Sequence, residues 1–210
     1  SSKIEYYNTR TPYTVLDFSQ SEHRTRKNET RFNVLHTQNI NPYLNVTFRY
    51  DQARSAGQYK NQDAKNNFVT LYSNYNKDNW SLHGGFITNS IQNGENGGLD
   101  ADSLIFSDDD TDLLNVNLNS TRSKFGNTHL FFNGEYKLGK QIEKGERRVM
   151  NEEGEEEFIP VMQFKPVVGF IYSFHYQNHY KEFTEDEDTT NFFRNTYFDD
   201  AYVKDSIRFR

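Results

Sequence analysis

The sequence contains no cysteine. That absence excludes a disulfide framework, a thiolate metal site and a cysteine nucleophile. It contains no run of about 18 apolar residues, so no membrane-spanning helix is expected. No apolar stretch follows a basic start, so no signal peptide is visible; either one has been removed or the chain is a piece of something longer. Basic charge is in short supply: 24 Lys and Arg against 30 Asp and Glu give a net charge of −6. Nucleic acid is therefore not an expected partner, because non-specific binding needs a basic footprint. Alanine is scarce, with five residues, while asparagine is abundant, with 24. This is a poor recipe for helices and a good one for strands joined by polar turns.

What the chain does have is aromatic surface and a period of two. Hydrophobic residues make up only 34%, with a mean hydropathy of −0.96, values that alone would suit a disordered chain. Yet 16% of residues are aromatic, and disordered chains are poor in large rings. From Tyr43 to Gln52, Leu44, Val46, Phe48 and Tyr50 alternate with Asn45, Thr47, Arg49 and Asp51. Successive strand side chains point to opposite faces, so this segment predicts a strand with one apolar and one polar side. Residues 30–40 alternate likewise, and Asn41-Pro42 between the two segments predicts a hairpin. The pattern recurs over 67–76, 80–90, 113–122, 128–138 and 164–176, with a less regular segment over 13–19 and the start of another at 206–210; over 67–76 Phe68 and Tyr72 take the parity opposite to Val69, Leu71 and Tyr75, which leaves its facing open. Short connections at 41–42, 77–79 and 123–127 alternate with long polar links at 20–29, 53–66, 91–112 and 139–163. Residues 177–205 break this rhythm and carry no reading.

Alternation alone also fits a soluble β domain. Segments of about ten residues, longer than the usual soluble strand of about 5–6, favour a membrane wall, since tilted strands of that length span about 25 Å. Short turns alternating with long loops point the same way. So do aromatics near strand ends, at Tyr50, Trp80, Tyr136 and Tyr176, where they suit the two interfaces. The expected fold is all-β: an antiparallel up-and-down transmembrane β-barrel with about eight strands in this segment.

Four blocks carry a resemblance. They are Tyr7-Asn8-Thr9-Arg10-Thr11-Pro12-Tyr13-Thr14, His36-Thr37-Gln38-Asn39-Ile40-Asn41-Pro42, Phe48-Arg49-Tyr50, and Glu95-Asn96-Gly97-Gly98-Leu99-Asp100-Ala101-Asp102-Ser103. In that order, across roughly residues 6–138, the chain resembles the putative porins of Bacteroidetes outer membranes. The resemblance implies a larger barrel of the Gram-negative cell outer membrane, with outer-membrane lipid and lipopolysaccharide as surroundings and other envelope proteins as partners. It carries over no catalytic residues. On this reading residues 1–210 are a single outer-membrane β-barrel domain, incomplete at one or both ends. Eight strands leave an interior wide enough only for side chains or one small ligand, so an aqueous pore needs more strands.

The expected function is passive diffusion of small solutes. The alternatives are a non-transporting barrel that serves as scaffold or subunit of an envelope complex, and a soluble surface-binding β domain. No enzyme is expected. There is no Gly-x-Ser-x-Gly and no His-Glu-x-x-His, and Gly94, Gly97 and Gly98 do not lead a strand into a helix, so neither a catalytic set nor a cofactor site is assigned. Asp100, Asp102, Asp108 and Asp110, with Asp109 and Asp112 nearby, offer the oxygen ligands that Ca²⁺ takes, but without the spacing of an EF-hand; a solvated loop is the bland alternative. The acidic runs Glu152–Glu157 and Glu185–Asp188 read as exposed loops. His175 and His179 are four apart, a spacing that joins two histidines on a helix and not on a strand. The pore-lining candidates, on the polar parity of their strands, are Arg31, Arg49, Asp51, His83, His129, Glu135, Lys137 and Lys165.

Overall fold

The computed structural model describes residues 4–21, 28–111, 113–150, 156–185 and 207–209. They build one antiparallel sheet whose strands follow chain order: β1 (Tyr13–Gln20), β2 (Glu29–Asn41), β3 (Leu44–Ser55), β4 (Ala64–Lys77), β5 (Trp80–Gly94), β6 (Arg122–Met150), β7 (Glu156–Thr184) and β8 (Ile207–Phe209). Each strand pairs with its chain neighbour, so the topology is up-and-down. Among the described residues the sheet is open, with β1 and β8 at its edges. The β2–β3 turn is set by Asn41, whose Oδ1 accepts from the backbone N–H of Tyr43 at 2.9 Å and of Leu44 at 3.0 Å, an Asx turn around Pro42. The β4–β5 turn passes through Asp78 in the left-handed region, at φ 50°, which Asp tolerates better than most residues.

Two expectations are corrected. Residues 113–122 are not a strand. Up to Thr121 they are irregular, held by one bridge between Leu99 and Val116, and β6 starts at Arg122, so the connection expected at 123–127 is strand. Leu114, Val116 and Leu118 are buried inside this loop. Their alternation with asparagine reports burial on one side, which a tucked loop supplies as well as a ladder does. The same loop contains a short 3₁₀ turn, Asp102–Phe106. The second correction concerns 139–163. The described part of this expected polar link continues the β6–β7 ladder as a two-stranded ribbon that runs past the two short turns. Residues 177–184 complete β7. Asp112 and the acidic runs 152–155 and 186–188 lie outside the described residues.

The register sorts side chains into two faces. One is apolar and open: Leu16, Phe18, Phe48, Leu71, Phe86, Leu130, Phe132, Phe170 and Phe174 are all exposed. Its loop-side limit moves in steps. Phe18 pairs with Phe32, then Tyr50 with Val69, then Phe86 with Leu130 and Leu130 with Tyr176. Val34 stands opposite Tyr50, and Thr88 opposite Val69, so each step lowers the limit by two residues. The turn-side limit does the same, from Leu44 and Tyr75 to Trp80 and then to Leu138 and Val168. Beyond the loop-side limit, four residues past it on β3 and β4 and six on β5 to β7, Arg54, Lys65, Gln92, Lys124 and Glu182 stand in one registered row. Aromatic pairs mark both limits: Phe32 with Tyr50 at 6.3 Å and Trp80 with Tyr136 at 4.5 Å.

Candidate functional site: the polar face of the sheet

The opposite face gathers the inward parity of every strand. One registered row is Tyr13, Thr37, Thr47, Tyr72, Gly85, Phe131 and His175. Gly85 is needed there because a Cβ would come within 2.6 Å of the Phe131 ring and 2.8 Å of the Tyr72 Cβ. The Phe131 ring therefore lies over its bare backbone, beside the Cβ of Tyr72.

Seven of the eight pore-lining candidates share this face. Arg49 Nε donates to Asp51 Oδ2 at 2.8 Å, and Lys137 Nζ lies 3.1 Å from Glu135 Oε2. Both pairs are two residues apart along a strand, the spacing that keeps side chains on one face. All four groups are partly exposed, so each pair adds little stability and chiefly fixes where charge stands. Arg31 lies opposite Ala53, and His83 opposite Asn74. His129 Nε2 is 3.2 Å from His175 Nδ1, with Phe131 packed beside both rings. The histidine spacing that the sequence offered, 175 with 179, is thus replaced by a diagonal across two strands. Lys165 stands apart: it pairs with Lys140 in the ribbon, beyond the bulge between Leu138 and Gly139. That bulge shifts the parity on which its placement rested.

A buried polar network, unforeseen from sequence, sits at the turn end of this face. The hydroxyls of Thr37 and Thr47 and the amide oxygen of Asn45 form a triangle of 2.9, 3.0 and 3.2 Å. Asn45 Nδ2 donates to Asn39 Oδ1 at 2.7 Å, and Asn39 Nδ2 donates to Asn8 Oδ1 at 2.7 Å. Thr37 and Thr47 have no exposed surface, and Asn45 keeps 2%. A sheet face turned to bulk water would leave such groups wet. Here the segment ahead of β1 covers them: the Thr9 N–H donates to Asn39 Oδ1, and Tyr72 Oη donates to the Glu5 carbonyl at 2.8 Å. Asparagine and threonine at inward positions of otherwise apolar-alternating strands were the one sequence signal for this network.

Two adjoining clefts run along the face. One of about 510 Å³ lies toward the loop end, between Ser19, Arg31, Ala53 and Asn66. The other, of about 500 Å³, lies between the N-terminal segment and the wall, and includes Tyr7, Arg49, Asp51, Thr70 and Asn89. Arg31 and Ala53 border both, so the clefts form one continuous track. At the loop end, Asn61 Nδ2 lies 2.9 to 3.2 Å from the carbonyls of Glu95, Leu118 and Thr121, and Arg122 reaches Asp63 at 3.3 Å. These contacts tie the long loop to the β3–β4 connection. Among the described residues no three His, Asp or Glu side chains converge, so Asp100, Asp102, Asp108 and Asp110 do not form a Ca²⁺ cage there.

A family model described as "Putative porin" matches residues 1–210. No curated protein matches the chain, and no solved structure does.

Proposed function

Because the chain belongs to the putative porin family along residues 1–210, we propose that it forms part of the wall of an outer-membrane pore that passes small polar solutes by passive diffusion. The observation that carries this reading is the stepped apolar band. Its limits fall by close to one residue per strand across the sheet. At about 3.3 Å per residue and about 4.8 Å between strands, one residue per strand corresponds to a tilt of about 35°. That is the tilt of barrel strands, so a band that is oblique on the sheet is level in a bilayer. Its height, from Leu44 to Tyr50 on β3 and from Leu130 to Leu138 on β6, comes to about 16–22 Å at that tilt, approaching the roughly 25 Å of an outer-membrane apolar belt. A soluble sandwich has no reason to slide its apolar face along the register in this way.

The polar face then lines the lumen, and the edges of β1 and β8 are paired in the closed barrel, since an open edge in hydrocarbon leaves backbone groups unsatisfied. Lipid covers the band. On β3 and β4, Arg54 and Lys65 stand opposite each other beyond Tyr50 and Val69, at headgroup height, where anionic groups of lipopolysaccharide would relieve their direct opposition. Such a wall needs no catalytic group, and the channel is non-enzymatic.

Planar-bilayer recording of the full-length protein tests the reading. Stable ohmic steps are expected, and Arg49→Glu or Lys137→Glu changes the ion preference because a lumen charge acts at close range. Asp109→Asn, on the exposed loop, changes it less, since exposed charge is screened over about 8–10 Å. A folded barrel that passes no current removes the pore reading.

The ribbon favours a second reading, a barrel that anchors an envelope complex. Beyond Lys140 and Lys165 neither long edge of the ribbon is paired by another strand among the described residues, which leaves backbone groups open for a partner. Loss of a co-purifying envelope protein on trimming the ribbon, from a barrel without conductance, supports this reading over the first.

A further inference from the structure

Residues 4–12 form no ladder and lie across the polar face instead. Tyr13 pairs with Thr37 on β2, and from there the segment runs back over the sheet at its turn end. Asn8 and Thr9 are held by Asn39 on β2. The Glu5 carbonyl is held by Tyr72 on β4, and the Tyr6 ring packs 4.4 Å from His83 on β5 and 5.8 Å from Tyr72. The segment therefore spans β2 to β5 as a crossbar.

Its anchors are polar groups and ring edges rather than an apolar core. Asn74 Oδ1 and His83 Nδ1 lie buried in this neighbourhood with no protein hydrogen-bond partner. A chain layered on a sheet face takes up about 10 Å of depth. In a lumen this is a large share of the cross-section.

We propose that residues 4–12 are the constriction of the pore, narrowing it at the turn end and setting the size and charge of what passes. This rests on the pore reading above. The space left beside the crossbar is the cleft of about 500 Å³ that includes Glu5, Tyr7, Arg49, Asp51, Thr70 and Asn89. Arg49 is matched by Asp51, and Glu5 stands on the same cleft as Arg31, so charge is balanced across the narrowest passage. Burial and the neighbouring Glu5 carboxylate raise the Tyr7 phenol above its ordinary value, so it stays a neutral hydrogen-bond donor at physiological pH. The passage fits small, hydrogen-bonding solutes of no net charge better than ions of either sign. The crossbar contributes one of the balancing charges, Glu5, which makes its role separable from that of the wall.

The test compares the full-length protein with a version lacking residues 4–9 and with Glu5→Gln, all in planar bilayers, with heat-modifiable gel migration reporting the folded barrel. Removing the crossbar is expected to raise single-channel conductance about two-fold or more and to admit larger polymer probes. Glu5→Gln is expected to move the reversal potential in a salt gradient toward anions. A folded barrel whose conductance and polymer cutoff are unchanged by the deletion overturns the proposal and leaves the pore reading intact. If the deletion does not fold, Glu5→Gln decides, and an unmoved reversal potential overturns it. Current in none of the folded forms overturns both the constriction and the pore.

Discussion

Trp80 and Tyr136 face each other across β5 and β6 in direct register, with ring centroids 4.5 Å apart and planes tilted by 39°. They stand at the turn-side limit of the apolar band, beside the β4–β5 turn. Indole and phenol rings carry an apolar body and a polar tip and settle at the level of lipid headgroups. Trp80 is the one tryptophan of the chain, so its emission reports that level alone. On folding into vesicles its emission shifts to the blue, and quenchers fixed near the headgroups quench it more than quenchers at the bilayer centre. Greatest quenching from the centre contradicts the placement of the band.

Leu71 and Asn89 lie on adjacent strands and on opposite faces. Leu71 is in the band and Asn89 borders the cleft on the polar face. Leu71→Arg is expected to lower the unfolding free energy in lipid by about 2–4 kcal/mol, and Asn89→Arg by no more than about 0.5 kcal/mol. Urea titration in vesicles measures both, and the reverse order means the faces are exchanged.

Thr47 belongs to the polar face by parity yet has no exposed surface. Thr47→Val keeps the shape and removes the hydroxyl that faces Thr37 and Asn45. A loss of about 1–2 kcal/mol is expected, the cost of leaving the other two groups buried with fewer partners. Thr47→Arg is expected to prevent folding rather than line a pore, since the N-terminal segment covers the site. Wild-type stability of Thr47→Arg contradicts that cover.

Gly85 lies where Phe131 and Tyr72 close over the backbone. Gly85→Ala forces the Phe131 ring aside and is expected to lower stability by about 1–3 kcal/mol. Gly85→Ala combined with Phe131→Leu recovers part of the loss if crowding is the cause, which a double-mutant cycle reads directly.

The sequence made the wall legible where one face is apolar and the other polar over a whole strand. The hairpin of β2 and β3, the paired β4 and β5, and the apolar halves of β6 and β7 follow from the positions of Leu44, Val46, Phe48, Leu82, Phe86, Leu130 and Phe170. Alternation is a record of one-sided burial, however, and not of hydrogen bonding. Leu114, Val116 and Leu118 alternate because a loop buries them, and the ribbon around Ile142 and Val161 is strand without a regular apolar side. The crossbar had no periodic signal at all, because Tyr6 and Glu5 are held one at a time by Tyr72 and His83. The partner of His129 was hidden by the distance in sequence to His175, which only the register of β6 and β7 closes.

The descent of the apolar band also constrains the ring in which this sheet closes. A strand completing the circuit must meet β1 at the same depth in the bilayer, so the slide accumulated around the ring equals the shear number of the barrel. With a slide close to one residue per strand, shear number and strand number come out nearly equal. The radius then follows from the strand count alone, and adding a hairpin widens the barrel without changing how steeply its strands lean.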